Sequence, residues 1–431
     1  MKLNIHLCIT ILIVSTCYAS KFKNLSANNK TETIEINPKC FKDSYDIHSA
    51  NELAGILDCS VISGSVHISD FDVETLYLGH ISEIKGDLTI RNSSALIRLD
   101  APKLSLVGGK LELNTLNSLT SLSFPKLETV ETLKWQVLPI LTFVNLDKGI
   151  KNINSVIMSD TSLTGFGGFN VETLKILNIN NNRFLERIES TVAEVTENLL
   201  IAANANNLKV SLPNLAWTKH MTVKDIESLD LESLQVVEKS ADFSHNKFKK
   251  LNLPNLKSTG HTLSILKNKN LEEVSFDKLS EVGGGLMIID NEKLKTLDFF
   301  PSLKSVGGAI EFHGDIVSNH FDTLKIIKGS AIMKSSSEYF DCSDWMKNEV
   351  AKVVRGGKVE CGSGKSSTTE VLLVDEDGES TRGEPGINDK SDNFTFNDQF
   401  SRFKNVASSS LSSSYTLIVV TYLLGMLLQL L

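Results

Sequence analysis

Apolar residues recur along most of the chain in pairs two positions apart, and the pairs return about every 22 residues. A period of two predicts a strand with one buried face, and its regular return predicts one strand per coil of a solenoid. The first member of each pair is Val66, Leu88, Leu111, Leu133, Val156, Leu177, Leu199, Met221, Ala241, Leu263, Leu286, Ile310 and Ala331. The second is Ile68, Ile90, Leu113, Trp135, Met158, Ile179, Ile201, Val223, Phe243, Ile265, Ile288, Phe312 and Met333.

The position between the two apolar residues is mixed and mostly polar. It holds His67, Thr89, Glu112, Lys134, Ile157, Asn178, Leu200, Thr222, Asp242, Ser264, Met287, Glu311 and Ile332. Because successive side chains of a strand point to opposite faces, we expect this column to face solvent.

Each unit also carries the residues of tight corners. Asn follows several strands, as at Asn92, Asn268 and Asn291, and its amide can satisfy turn backbone groups while it tolerates a left-handed backbone. Gly-Gly pairs at 108/109, 283/284 and 307/308 mark a later corner. Short strands, tight corners and the absence of a helix-length pattern predict an all-β, right-handed parallel β-helix. At the ~4.8 Å strand spacing its twelve steps would extend over about 58 Å.

The N-terminus has the pattern of a secretory signal. Lys2 precedes an apolar run over 7–14, and small residues lead to Ala19, so we expect a signal peptide over 1–19. The alternative, an N-terminal membrane anchor, is disfavoured because this run is too short to span ~30 Å of hydrocarbon.

The C-terminal tail from Tyr415 to Leu431 is uncharged and mostly apolar, and no basic cluster follows it. A Ser-rich spacer and a small residue precede it, which is the pattern of a glycosylphosphatidylinositol (GPI) signal. We expect a GPI-attachment propeptide over 406–431, with Asn405 as the attachment site and Ser408 as the alternative. An ordinary tail anchor is the competing interpretation.

Four cysteines remain once these segments are removed, and a secreted protein holds them in an oxidising compartment. Cys40 and Cys59 precede the first coil, whereas Cys342 and Cys361 follow the last. Disulfide-bonded Cα atoms lie within about 7 Å, which excludes pairs that connect opposite ends of a long rod. We therefore expect Cys40 to pair with Cys59 and Cys342 with Cys361, each pair closing a cap over one open end.

These observations divide the chain into six predicted segments. They are a signal peptide over 1–19, an N-terminal cap over 20–63, solenoid coils over 64–335, a C-terminal cap over 336–361, a stalk over 362–405 and a propeptide over 406–431. The stalk is expected to be disordered because it is acidic and rich in Ser and Thr, with almost no apolar periodicity.

Charge and glycosylation signals narrow the class of protein. The chain has 52 acidic and 44 basic residues, so its net charge of −8 offers no basic footprint for nucleic acid. Acceptor sequons for N-glycosylation begin at Asn24, Asn29, Asn92 and Asn393. We expect a monomeric secretory glycoprotein.

Five segments carry a family resemblance: Asp87–Leu96, Val156–Leu163, Leu177–Leu185, Gly283–Asn291 and Val306–Gly314. With the end signals and the cysteine pairs, the chain resembles the fungal sporulation-specific and cell-wall-organisation family of GPI-anchored glycoproteins. The resemblance implies a leucine-rich-repeat-like solenoid related to the receptor L-domain. It also implies a protein of the plasma-membrane outer leaflet or cell wall that is needed for the integrity of the vegetative or ascospore wall. The stalk departs from the family, because it is acidic and less rich in Ser and Thr than is usual.

A parallel β-helix can also be an enzyme, and glycoside cleavage needs two carboxylates about 5 to 10 Å apart. In the outward column, Glu112 and Asp242 lie six coils apart, about 29 Å, and Asp242 and Glu311 lie three coils apart, about 14 Å. Three further acids, Asp160, Asp225 and Asp290, fall at corners, where we expect them to cap turns. The sequence therefore predicts no catalytic residues.

Metal, cofactor and sugar sites have equally little support. His245 and His313 lie three coils apart, and the Gly-Gly pairs lack the helix and Lys-Ser/Thr of a phosphate loop. The outward strand positions offer no aromatic ring. We predict a noncatalytic wall-organising protein without metal or cofactor, with wall glucan or mannoprotein as candidate partners. A wall-polysaccharide binding module and a β-helix wall-remodelling enzyme are the alternatives.

Overall fold

The computed structural model describes residues 37–387, apart from 168, 170, 348, 349, 367, 384 and 385. Fifteen parallel strands, one per coil, stack into one sheet that we call the long sheet. They are Ser44–Ile47, Ser65–Ser69, Leu88–Arg91, Leu106–Asn114, Thr129–Leu138, Ser155–Thr161, Thr173–Asn180, Glu194–Ala202, Met221–Lys224, Ala241–Ser244, Leu263–Leu266, Leu286–Ile289, Ile310–Gly314, Ala331–Ser335 and Gly357–Gly362. The predicted signal peptide and propeptide lie outside the described residues.

The register of the long sheet confirms the predicted repeat. Val66 lies opposite Leu88, Leu88 opposite Leu111, and so on without a slip to Ala331. Each cap contributes one further strand that the repeat did not predict. Tyr45 and Val359, in these two strands, continue the same column at either end. The chain is thus an all-β parallel solenoid.

Each coil has two further strand positions. Short strands lead into eight of the long ones: Val61–Ile62, Glu83–Ile84, Trp217–Thr218, Val236–Val237, Ser258–Thr259, Glu281–Val282, Ser305–Val306 and Ile326–Ile327. A separate set, which we call the second face, forms four small parallel sheets. It comprises Thr75–Tyr77, Arg98–Asp100, Ser121–Ser123 and Phe143–Asn145; Gly165–Phe166, Arg187–Glu189, Lys209–Ser211 and Ser228–Asp230; Lys250–Asn252 and Glu273–Ser275; and Thr296–Leu297 and Ser318–Asn319.

The inward side chains of all coils form one continuous apolar core. Leu88, Leu111 and Leu133 are fully buried, and burial of such a side chain stabilises the fold by roughly 1.5–3 kcal/mol. In the coils near the C-terminus, the core also contains aromatic rings that contact one another. Four phenylalanine rings and one tryptophan ring form a chain of contacts with centroids 5.3 to 6.3 Å apart, in the order Phe276, Phe300, Phe321, Phe312 and Trp345.

One left-handed residue follows the long strand in most coils. Eleven non-glycine residues have φ between 52° and 61°: Asp70, Asn92, Thr115, Val137, Asp160, Asn181, Ala203, Asp225, His245, Lys267 and Asp290. The predicted preference for Asn and Asp is therefore only partly right. Bonds between coils, such as Asn92 N–H to the Asn114 carbonyl and Thr115 N–H to the Gln136 carbonyl, recur at this corner whatever the side chain.

A ladder of buried asparagines lies one position beyond this corner: Asn182, Asn204, Asn246, Asn268 and Asn291. Each side chain bonds to the preceding coil. The Asn268 Oδ1 accepts from the Asn246 N–H at 2.9 Å, and its Nδ2 donates to the Phe243 carbonyl at 2.9 Å. The corner thus uses two successive residues, one for the left-handed turn and one to satisfy buried backbone groups.

Glycines mark the places where successive coils approach most closely. A Cβ atom at Gly283 would overlap the carbonyl oxygen of Gly260, and one at Gly307 would overlap the carbonyl oxygen of Gly283. The predicted turn role of the Gly-Gly pairs therefore has a specific cause, which is backbone packing between neighbouring coils.

Both ends of the solenoid are closed. The N-terminal cap holds a 3-10 helix, Pro38–Cys40, and a helix, Ala50–Ala54; the C-terminal cap holds a helix, Cys342–Lys347, and a 3-10 helix, Ala351–Val353. Disulfide bonds join Cys40 to Cys59 and Cys342 to Cys361, the pairs expected from the rod geometry. Cys361 lies opposite Met333 and so extends the buried column of the long sheet.

The predicted stalk boundary at residue 362 differs from the structure. The strand Thr368–Val374 pairs antiparallel with Gly357–Gly362, and two short strands, Ser380–Arg382 and Gly386–Ile387, pair with it in turn. Its segment Val371–Val374 is a short apolar run with high β propensity. The average composition of 362–405 is nevertheless polar, because polar residues surround this run, and the prediction of disorder rested on that average. An antiparallel strand thus covers the last edge of the long sheet.

Candidate functional site

The outward column of the long sheet lies where the sequence predicts, but it is less exposed. Thr89, Glu112 and Glu311 are only 5, 1 and 5% exposed. Coils stacked at the ~4.8 Å spacing let each outward side chain pack against those above and below it. Calling the whole column a solvent face is therefore wrong at these positions. Trp135, in the inward column, is fully buried as expected.

Glu112 is the centre of an ion-pair cluster on this face. Its carboxylate lies 2.8 Å from the Arg91 guanidinium, 3.1 Å from the Lys134 Nζ and 3.5 Å from the Lys110 Nζ. Burial alone would raise the pKa of Glu112. The hydrogen bonds from Arg91 and Lys134 outweigh it and hold that pKa below its ordinary value. Glu112 is therefore a buried carboxylate that stays ionised.

We expect Glu112→Gln to lower the free energy of unfolding at neutral pH by about 2–3 kcal/mol, because it leaves three cations without their shared anion. A lowered folded-state pKa stabilises the fold above the ordinary value of 4.5 and loses that effect as the pH falls through the folded value. The difference between variant and wild type should therefore shrink below pH 4.5. Urea unfolding across a pH series measures it.

The matched control is Glu128→Gln. Glu128 also pairs with two lysines, Lys148 at 2.9 Å and Lys151 at 3.3 Å, but its side chain is 30% exposed, whereas that of Glu112 is 2% exposed. Water and salt screen an exposed pair, so this variant should change stability little. Equal effects of the two substitutions would contradict the role of burial at Glu112.

The observed register keeps the carboxylates of the outward column apart. Asp242 and Glu311 are three coils from each other, and Glu112 is six coils from Asp242. Asp87 and Glu112 come closer, since Lys110 lies 3.8 and 3.5 Å from their carboxylates. A general acid needs a raised pKa, whereas the pKa of Glu112 is lowered. Glu112 therefore lacks the raised pKa that the general acid of glycoside cleavage requires.

A groove of about 590 Å³ runs along the left-handed corner of the later coils. It is lined by His245, Lys267, Lys269, Asp290, Glu292, Gly314, Asp315 and Ser336. Its acids include Glu292, 3.6 Å from Lys269, and Asp315, which pairs with Lys295. The Glu292 and Asp315 side chains are 64 and 47% exposed. The groove therefore lacks the buried carboxylates that acid–base catalysis uses. The sequence singled out Asp290 and His245 separately, but it does not show that corner residues of successive coils enclose a groove.

The other singled-out polar residues act at corners. Asp160, Asp225, Asp290 and His245 all take the left-handed position, and the Asp225 carboxylate accepts from the Ala203 N–H at 3.1 Å. The His313 Nε2 lies 3.1 Å from the Glu311 carboxylate. Within the described part of the chain, no group of three or more His, Cys, Asp or Glu residues is placed to hold a metal ion.

The modification sites are only partly within the described residues. Asn92 is exposed at a left-handed corner, and Ser94 of its sequon is exposed as well. Asn24, Asn29, Asn393, Asn405 and Ser408 lie outside the described residues. Among the described helices, none is long and apolar enough to cross a membrane.

Comparison with known proteins gives several relatives. The chain is 40% identical over 352 residues to sporulation-specific protein 2 of Saccharomyces cerevisiae, covering 81% of this chain and 70% of the relative. It is 39% identical over 360 residues to sporulation-specific protein 22 of the same yeast, covering 83% and 76%. It is also 31% identical over 316 residues to a cell surface GPI-anchored protein of Arthroderma benhamiae, covering 73% and 81%. No family model and no solved structure matches the chain.

Proposed function

The chain belongs to the fungal family of sporulation-specific and GPI-anchored cell-surface proteins, and we propose that it is a noncatalytic GPI-anchored glycoprotein that organises the fungal cell wall. The observation that carries this proposal is 40% identity over 81% of the chain to a sporulation-specific protein. Names of further relatives, a cell wall mannoprotein and a cell wall protein, support a place at the cell surface or in the wall.

The geometry of the described residues supports a structural role. The solenoid presents a long sheet on which the buried carboxylate of Glu112 is held by three cations. The acids of the groove along the left-handed corner of the later coils are exposed, and two of them pair with lysines. Two of the relatives are named as sporulation-specific proteins and three as surface or wall proteins, and none of these names is that of an enzyme. We therefore favour an organising role over wall-remodelling catalysis.

Anchoring is proposed to occur through the C-terminal signal. The propeptide over 406–431 would be exchanged for a GPI anchor at Asn405, or at Ser408, which would leave the solenoid on the outer leaflet or linked to the wall. The charged segment before it, 362–405, would connect the solenoid to the anchor. The proposed N-glycans include one at Asn92, which is exposed in the structure.

Removal of the propeptide should abolish function at the wall. Cells that lack this protein are expected to lyse faster in a wall-digesting enzyme, and the full-length chain should restore resistance. A chain that ends at residue 405 should be secreted into the medium and fail to restore it, because it cannot receive the lipid. Lysis rates and immunoblots of medium and membrane fractions measure both effects.

The control is phosphatidylinositol-specific phospholipase C, which should release the full-length protein from membranes. Retention in the bilayer, with the 415–431 tail still detected by mass spectrometry, would contradict the GPI proposal. Normal lysis rates in cells without the protein, whether vegetative cells or ascospores, would contradict the wall-organising role.

A further inference from the structure

Two successive coils carry no charged residue over their corner and second-face segments, and the third carries none between its corner residue, Asp160, and Glu172. The uncharged segments are 113–125, 135–146 and 161–171. With 22% charged residues in the chain, segments of this combined length would hold about eight charges. We call the surface formed by the described residues of these segments the neutral band.

The middle coil of the neutral band exposes a row of apolar side chains. Val137, Ile140 and Phe143 are 39, 44 and 58% exposed. The preceding coil holds Thr115, Ser118 and Ser121 at the positions 22 residues earlier, and Phe143 pairs directly with Ser121. An exposed aromatic ring therefore lies in a surface whose neighbouring positions carry hydroxyl groups.

Backbone strain is concentrated in the same place. Among the eleven left-handed non-glycine residues, only Thr115 and Val137 are β-branched, and their φ values are 54° and 56°. A β-branched residue in this conformation is a genuine outlier, and such strain, about 1–3 kcal/mol each, clusters at functional sites. Both residues belong to the neutral band.

The second face is also interrupted here. The sheet that ends with Phe143–Asn145 and the one that begins with Gly165–Phe166 are not paired in the described structure. A Cβ atom at Gly165 would have no neighbour within 4 Å, so the surface is open at this point. A cavity of about 320 Å³ borders it, lined by Thr164, Gly165, Phe166, Gly167, Glu186, Arg187 and Glu189.

From these features we infer that the neutral band binds a neutral polysaccharide of the cell wall. The Phe143 ring would pack against the apolar face of a sugar ring, and the hydroxyls of Ser121, Thr142 and Thr164, one on each coil, would exchange hydrogen bonds with sugar hydroxyls. The band has no charged side chain of its own to desolvate when it binds an uncharged polyol, which keeps the cost of burial low. Charged residues lie only at its edges, where Arg98 pairs with Ser121 and Arg187 with Gly165. The interruption beside Gly165 provides space for the chain.

Other partner classes fit the neutral band less well. A polyanion needs cationic side chains, and the band has none. Stable protein interfaces bury more than about 1,000 Å² around clustered aromatic and Arg anchors within a polar rim. Here three apolar side chains form a single row with Ser and Thr beside it.

This inference rests on the proposed place of the protein in the wall, and it is tested by direct binding. Detergent-extracted full-length protein is incubated with insoluble β-glucan, with chitin and with polygalacturonate, so that the assay does not depend on the anchor or on a cell phenotype. We expect retention on glucan or chitin, the two arms showing which one is bound, and none on the polyanion. The double variant Ile140→Ser and Phe143→Ser should weaken retention at least tenfold.

The control is Tyr339→Ser, which removes an exposed ring, 85% exposed, from the C-terminal cap. It should bind like the wild type, and both variants should keep the wild-type unfolding midpoint because the changed side chains are exposed. A second variant, Asn92→Gln, removes any glycan close to the neutral band and should also keep binding.

Four results would overturn the inference. They are no retention of the wild type on either neutral polymer, equal losses in the double variant and Tyr339→Ser, binding that appears only in Asn92→Gln, and a dimer that the double variant dissociates. The third would show that the protein's own glycan covers the band, and the fourth that a second copy does. Normal wall resistance in cells without the protein would count against the proposed function and leave the binding result unchanged.

Discussion

Replacing Gly283 by alanine is expected to lower the free energy of unfolding by about 3 kcal/mol or more. The added Cβ atom would overlap the carbonyl oxygen of Gly260 in the preceding coil, and Gly307 of the next coil approaches Gly283 just as closely. Because the overlapping atoms are backbone, no side-chain rotation can relieve the clash. The two coils must separate or the strand pairing between them must break.

Gly165→Ala is the matched control for this prediction. It adds the same atom, but at a position with no neighbour within 4 Å. The substitution should change stability by no more than about 0.5 kcal/mol, or raise it slightly by restricting the unfolded chain. Urea unfolding followed by circular dichroism measures both variants. Similar midpoints for the two would show that close coil packing does not limit stability at Gly283.

Replacing Asn268 by leucine is expected to cost about 3–5 kcal/mol, although the two side chains have similar volumes. The fully buried amide accepts from the Asn246 N–H and donates both to the Phe243 carbonyl and to the Asn291 Oδ1, the last at 3.0 Å. Leucine leaves these buried groups without a partner, and each unsatisfied group costs about 1–3 kcal/mol. The loss should extend to the neighbouring coils, since the ladder connects them.

An exposed asparagine serves as the control. Asn207 donates to the Glu186 carboxylate at 3.0 Å on the surface, where water can replace the bond. Asn207→Leu should therefore change the unfolding midpoint by little, roughly within 0.5 kcal/mol. Hydrogen exchange adds a second measurement, because the Asn246 amide should lose protection in Asn268→Leu alone. Retained protection there would contradict the ladder as a source of stability.

The long sheet could be predicted from the sequence because its signal repeats thirteen times. Paired apolar positions fix both the strand and its register, since a slip of one residue would expose every core side chain. The two cap strands were not predicted. Val359 lies 28 residues after its partner Ala331, because the cap helix and the 3-10 helix intervene, so the repeat gives no period that reaches it. Tyr45 keeps the spacing, 21 residues before Val66, and its strand could have been predicted from the same pattern.

The corners show a second limit of sequence reasoning. Asn and Asp suggested the left-handed position, yet Thr115, Val137 and Lys267 occupy it as well. Hydrogen bonds between coils impose the conformation there and override the preference of each side chain. The buried state of Glu112 was missed for a related reason, because it depends on Arg91 and Lys134 in neighbouring coils.

The neutral band could be predicted from the sequence only in part. Its three uncharged segments are plain in the printed chain, and the 22-residue repeat places them on successive coils. The outward positions of the long strands offer no aromatic ring, whereas the exposed ring of Phe143 lies on the second face. Which side chains of that face are exposed depends on the packing of the coils, and the repeat does not determine it.

The C-terminal disulfide has a mechanical consequence under the proposed C-terminal anchoring. A pull beyond residue 387 reaches Cys361 through the strand Thr368–Val374 and then crosses the covalent bond to Cys342. The covalent bond therefore gives tension a path that bypasses residues 343–360. Force enters the long sheet at Cys361 in Gly357–Gly362, and the next strand along the chain on this path is Ala331–Ser335, which is paired on both edges. The helices of the C-terminal cap lie within the bypassed loop and are shielded from the pull.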